Sequence, residues 1–170
     1  LKKARAVAEA AMMVTIADDS GLEVEALGGR PGVRSARFAR EGATDAENNA
    51  ELLRRLEDID DEQRVARFRT VIALVDPWAS SDPIVLEGTC EGRIARSPSG
   101  TGGFGYEPLF IVAGLDRTLA EIDAQEKERI SHRAKALRQL EPKLAALVEE
   151  RLAVANSIMR GTYNPPASTR

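Results

Sequence analysis

Ile16-Ala-Asp-Asp-Ser-Gly-Leu-Glu-Val-Glu-Ala-Leu-Gly-Gly-Arg-Pro-Gly-Val-Arg-Ser-Ala-Arg-Phe38 places two adjacent carboxylates and a hydroxyl where an apolar segment gives way to glycines. Met13 to Ala17 is short, apolar and partly β-branched, so it predicts a buried strand, and Gly21 is expected to break it directly after Asp18, Asp19 and Ser20. Carboxylates at such a strand end suit a metal and a phosphate. Neighbouring residues of a strand point to opposite faces, so Asp18 and Asp19 need not play the same part, and one is free to bind metal while the other braces the loop.

Outward from this run the chain alternates helix and strand signals. Leu1, Ala4, Val7, Ala8 and Ala11 share one helical stripe, predicting the end of a helix over residues 1–11. Gly28 to Gly32 reads as a rigid turn, with Ser35 to Ala39 extended beyond it. Thr44-Asp45-Ala46-Glu47 fits a capping box, and Leu52, Leu53 and Leu56 continue the apolar face of a helix ending near Glu57. The acidic run Asp58 to Glu62 reads as a solvated loop. Arg67 to Val75 predicts a long strand stopped by Asp76-Pro77, with Trp78 in the loop that follows. Ile84 to Leu86 and Arg93 to Ala95 bracket another extended stretch interrupted by Gly88 and Gly92, and these strands are expected to form an antiparallel meander. Leu137, Leu140, Leu144, Leu147, Val148 and Leu152 repeat at helical spacing, with a kink or restart expected at Pro142. Gly161 to Arg170 lacks periodicity and reads as a disordered tail.

Composition narrows the class. At 170 residues and 43% hydrophobic content, the chain is long enough for one domain with a real core and too short for two ordinary ones. Its 24 basic against 27 acidic residues, net charge −3, argue against a broad electrostatic grip on nucleic acid or an anionic membrane. The single cysteine, Cys90, excludes an internal disulfide and a cysteine-rich zinc site; it reads as a small buried residue in a reducing cytoplasm. No stretch approaches the roughly 20 apolar residues of a membrane span.

Two further segments carry chemistry. Gly100-Thr-Gly-Gly-Phe-Gly105 matches the G-x-G-x-x-G pattern, but Ser97-Pro98-Ser99 stands where a strand should precede it and Pro108 follows where a helix should run, so a nicotinamide or flavin cofactor is not expected. The glycines describe either a backbone that lets a flat ligand approach, with Phe104 free to stack on a base, or a turn that tucks Phe104 and Tyr106 into the core. In Lys127-Glu-Arg-Ile-Ser-His-Arg-Ala-Lys-Ala-Leu137, Ser131 is a candidate helix cap, placing His132 and Arg133 beside free backbone donors that favour anions. Singly, His132 reads as a surface or capping residue and Lys127 and Arg133 as surface cations. Together the three segments point to a nucleotide site.

In order along the chain, Ala-Asp-Asp-Ser-Gly-Leu with Leu-Gly-Gly-Arg-Pro-Gly, then Gly-Thr-Gly-Gly-Phe-Gly-Tyr-Glu-Pro, then Ser-His-Arg-Ala-Lys-Ala-Leu resemble the inosine/xanthosine triphosphate pyrophosphatase family. The resemblance runs from about Leu1 to about Leu147. It implies an α/β fold with an elongated mixed sheet flanked by helices, two lobes with a cleft between them, a cytoplasmic homodimer, and magnesium-dependent hydrolysis of ITP, dITP and XTP to the monophosphate and pyrophosphate. It implies Asp19 as catalytic carboxylate and metal ligand, with Asp18 assisting at the metal or holding the loop. Ser20 would line the phosphate side; Phe104, Gly105, Tyr106 and Glu107 would cradle the base; Lys127, His132 and Arg133 would contact substrate. Residues 1–155 would then be the pyrophosphatase domain and 156–170 the tail.

Two departures shape the expectations. Glu107 stands where the family usually carries Asp, which is expected to tune the base contact. The family's opening strand, its Thr-Gly-Asn-x-Gly-Lys type phosphate loop and a further acidic ligand have no counterpart here, so the chain reads as lacking them. On that reading the chain alone turns over little, and the alternative is a catalytically impaired remnant that still holds a purine nucleotide.

Overall fold

The computed structural model describes residues 1–79 and 82–164. Helix α1 (Lys2–Ala11) leads into strand β1 (Thr15–Val24); a short β2 (Arg30–Pro31) and a 3-10 segment (Gly32–Arg37) precede α2 (Asp45–Arg55). Strands β3 (Val65–Val75), β4 (Ile84–Ile94) and β5 (Phe110–Val112) follow, then α3 (Ala124–Ile130) and α4 (His132–Met159). The sheet runs β2-β1-β3-β4-β5, and every ladder described is antiparallel. The α/β class and the meander hold; the sheet expected to be mixed is antiparallel throughout the described residues.

The sheet buries different materials on its two faces. On one, Leu22, Val24, Phe68, Cys90 and Ile94 join Leu52 of α2, Leu56 just after it, and Leu109, Phe110 and Leu119 in the main core. On the other, α1 presses Ala4 and Ala8 onto Ala73 and Val75, and these small side chains let helix and strand approach closely. That second layer explains why β3, alternating through Ile72, turns continuously buried over Ala73, Leu74 and Val75.

Gly21 does not end β1, which continues three residues further. A Cβ there would meet the Gly32 carbonyl at 2.5 Å and the Ser35 hydroxyl at 3.2 Å, so glycine serves close packing of the 32–35 segment rather than strand breaking. Residues 35–39, expected extended, begin instead in the 3-10 segment, because Ser35 Oγ accepts from the Leu22 amide at 2.9 Å and donates to the Gly32 carbonyl at 2.6 Å, closing a local turn. Gly88 and Gly92 likewise lie within one unbroken β4. The capping box of α2 forms as read: Glu47 N–H reaches Thr44 Oγ1 at 3.3 Å and Thr44 N–H reaches Glu47 Oε2 at 2.7 Å.

Compact packing divides the chain into residues 1–137 and 138–170. The second unit carries the remainder of α4, which is helical through Pro142 without a restart and still helical over 156–159, where the sequence placed a tail. Gly161, at φ +67°, closes it, with Gly161 N–H bonding the Ile158 carbonyl at 3.0 Å and Thr162 N–H the Ser157 carbonyl at 2.9 Å. The tail read over 165–170 lies outside the described residues.

Candidate functional site

Ser20, Thr70 and Gly88 lie opposite one another across β1, β3 and β4. A Cβ on Gly88 would collide with the His132 carbonyl and the Ala136 amide, so its absence lets the first turn of α4 rest directly on the sheet. Ser131 Oγ caps that turn by accepting from the Ala134 amide at 3.2 Å, and Lys135 Nζ donates to the Thr89 carbonyl at 2.7 Å.

Seated this way, α4 delivers Arg133 and His132 over β1. The Arg133 guanidinium donates to Asp18 Oδ2 at 3.2 and 3.1 Å and to Ser20 Oγ at 3.4 Å; Ser20 Oγ and Thr70 Oγ1 share a hydrogen bond of 2.6 Å. Both partners of the ion pair are largely exposed, so it adds little stability, but it fixes the direction of the fork. His132 is buried, its ring stacked on Phe68 with centroids 4.9 Å apart and planes at 13°. Burial, reinforced by the charge of Arg133 and opposed by Asp18, holds its pKa down at about 4, so the imidazole is neutral at pH 7. Its Nδ1 is buried and has no hydrogen-bond partner among the described residues. The surface or capping role read for His132 is therefore corrected: it is a buried ring in the wall of the site.

The glycine loop forms the facing wall, and it splits the two alternatives the sequence left open. Phe104 stands 63% exposed, whereas Tyr106 is 4% exposed and donates its hydroxyl to the Ser35 carbonyl at 2.8 Å. Burial first, then the Asp45 carboxylate, push the Tyr106 phenol up, keeping it a donor. Glu107 is buried and accepts from Lys127 Nζ, on α3, at 2.7 Å. These walls enclose a cavity of about 330 Å³ that Asp19, Ser20, Phe104, Glu107, His132 and Arg133 border.

Asp19 stands apart from its neighbour. Asp18 and Ser20 share the face that carries Arg133, and alternation turns Asp19 toward the α1 face. There a second cavity, of about 420 Å³, is bordered by Asp19, Lys2 and Lys3, with Arg69 in its wall paired to Glu23 at 3.6 Å and to Glu87 at 2.7 Å. Asp18, Asp19, Ser20 and Gly21 border both cavities. Among the described residues no three His, Cys, Asp or Glu side chains gather to hold a metal. Magnesium is commonly held by one or two carboxylates with substrate phosphates and water, a donor set that Asp19 fits, whereas Asp18 is engaged by Arg133.

The sequence model of the Ham1 family matches residues 1–143. The chain belongs to the Ham1 family. Among solved structures, the Ham1 protein of Staphylococcus aureus superposes with TM-score 0.79 at 42% identity, covering 85% of this chain and 73% of that one. The Ham1 protein of Coxiella burnetii gives 0.80 at 47% identity, covering 85% and 74%. The dITP/XTP pyrophosphatase of Lactobacillus acidophilus is 50% identical over 145 residues, 85% of this chain and 72% of the relative.

In this Ham1 chain the residues singled out from sequence converge on one cavity, except Lys127, which reaches it through Glu107. Sequence reading passed over Asp45, Asn48 and Asn49, although asparagine is a poor helix former and two in succession inside a capped helix signal side chains working on something outside it. Asn48, buried, donates to the Ala36 carbonyl at 3.3 Å and accepts from the Ala39 amide at 3.0 Å, tying α2 to the 3-10 segment.

Proposed function

We propose that this protein hydrolyses deaminated purine nucleoside triphosphates, dITP, ITP and XTP, at the α–β anhydride, releasing the monophosphate and pyrophosphate. The observation that carries the reading is the position of the Asp18-Asp19-Ser20 run between a cavity bearing an exposed aromatic ring and one bearing lysines. The relatives named dITP/XTP pyrophosphatase support the same reading, at about half the residues identical over most of the chain.

In this reading the purine lies against Phe104, whose open face offers stacking. The triphosphate crosses Asp19 toward Lys2 and Lys3, whose charges stabilise the departing pyrophosphate. The Asp19 carboxylate orients a water and accepts its proton as the water oxygen bonds phosphorus and the anhydride bond breaks. Magnesium, when bound through Asp19 and the phosphates, spreads the triphosphate charge and lowers the pKa of bound water. Arg133, held by Asp18 and Ser20, presents donors to the 6-oxo group of hypoxanthine or xanthine; the adenine amino group would face donor with donor and leave both unpaired. The protein acts, on this reading, as a magnesium-dependent cytoplasmic homodimer; no helix among the described residues is long and apolar enough to cross a membrane.

Pyrophosphate release by the purified protein tests this. With magnesium, dITP and XTP should be hydrolysed at least about 100-fold more efficiently than dATP, the scale expected when a hydrogen-bonding site meets the wrong donor pattern. Equal turnover of dATP would overturn the assignment. Binding of inosine monophosphate without any hydrolysis would leave only the binding half.

A further inference from the structure

Gly105 is held by two side chains of one helix. Asp45 Oδ2 accepts from the Gly105 amide at 2.7 Å, and Asn49 Nδ2 donates to the Gly105 carbonyl at 2.9 Å. Residues four apart on a helix share a face, so the first turns of α2 present an acceptor and a donor at the spacing of one peptide residue. Gly105 sits at φ +59°, a conformation that side chains rarely adopt, and it separates the exposed Phe104 from the buried Tyr106. The ring before it faces the cavity; the ring after it is fixed in the core by the Ser35 carbonyl. Asn49 Oδ1 is buried with no hydrogen-bond partner among the described residues, so its amide is oriented by the bond to Gly105.

We infer that Asp45 and Asn49 are positioning residues for base recognition: they clamp both polar groups of Gly105 and thereby hold Phe104 at a fixed height and angle over the cavity. This rests on the purine reading of the Phe104 wall. Neither residue needs to touch a ligand. Without the clamp Phe104 would sample several placements, and a ligand would have to select one of them, which weakens binding by the fraction of chains correctly placed. The step at Asp19 lies outside this effect, so the clamp acts on affinity for the base and on KM rather than on kcat.

Isosteric exchanges test the clamp without emptying space. Asn49→Asp keeps the shape and removes the donor; Asp45→Asn keeps an oxygen acceptor for the Gly105 amide. With inosine monophosphate as probe and calorimetry as readout, Asn49→Asp should weaken binding roughly three- to tenfold, the scale of one lost hydrogen bond, while Asp45→Asn stays within about twofold of wild type. Asp45→Ala should behave like Asn49→Asp. Phe104→Ala provides the decisive background: there, adding Asn49→Asp should cost less than about twofold more, because the ring it positions is gone. Thermal melting of each variant guards against unfolding. Additive losses in the double variant, or wild-type affinity in a folded Asn49→Asp, would overturn the clamp while leaving the purine site standing. A wild-type protein that does not bind inosine monophosphate would overturn the purine reading itself, and the clamp's role with it.

Discussion

The two faces of the β1–β3 sheet solve opposite problems. On the main-core face, the groups behind Phe104 and Arg133 are buried and mutually fixed: His132 against Phe68, Glu107 against Lys127, Tyr106 against Ser35. On the α1 face the core is alanine and valine, and Asp19 and Arg69 stay solvent-accessible. Selecting a flat heterocycle demands donors and rings that do not move, because a mismatch is costly only when the site cannot adapt. Handling a highly charged chain and a metal demands accessible charge that solvent and counter-ions can balance. Adjacent residues Asp18 and Asp19 divide along the same line, one locked by Arg133 and one left open.

The largest expected effect falls on the open side. Asp19→Asn should lower kcat for dITP by about 10³-fold, within the range general-base removal produces, while inosine monophosphate still binds within about threefold. Undiminished turnover would remove Asp19 from the chemistry and erase the division of labour. The next probe addresses the buried side through pH. Unfolded, His132 takes up its proton near its ordinary 6.5; folded, near 4. Between those values the unfolded chain binds the extra proton, so the stability is intact above 6.5 and is lost as pH falls toward 4, by roughly 3 kcal/mol. His132→Phe keeps a stacking ring without a titrating group, and its melting temperature should fall less than that of wild type over this interval. Parallel pH profiles would show that the buried ring is not the proton-sensitive element. The smallest effect concerns the alanine layer: Ala8→Leu overpacks α1 against Ala73 and Val75 and should cost about 1–3 kcal/mol in chemical denaturation, with monophosphate affinity unchanged. A large affinity loss in that variant would mean that the two faces are coupled.

Much of this arrangement is legible in the sequence where a local pattern decides the outcome. The strand β3 from its β-rich run up to Asp76-Pro77, the capping box at Thr44 and Glu47 and the cap at Ser131 are each written in a few neighbouring residues, and each forms. Gly21 and Gly88 are legible only as glycines. Whether a glycine breaks a strand or admits a neighbouring backbone depends on Gly32 and Ala136, remote partners with no local signature. The same holds for the 3-10 turn after Gly32, which depends on one hydroxyl meeting the β1 backbone. In the site, the three motifs announce their residues, but Asp45 and Asn49 bind only main-chain atoms of Gly105, and main-chain atoms leave no trace in the residue types around them. His132 is misread for a related reason: the ring it stacks on belongs to Phe68, far away in sequence on β3.

Gly88 also shows where the dimensions of the cavity are encoded. The first turn of α4 rests on the hydrogen atom of this residue, so the altitude of His132 and Arg133 above β1 is set by a side chain that is not there. A single added methyl would lift both side chains together, like a shim under a beam, and resize the chamber without altering any group that lines it. Any attempt to widen this site for a bulkier base has its adjusting screw on the middle of a strand, beneath the floor, rather than among the residues a ligand would meet.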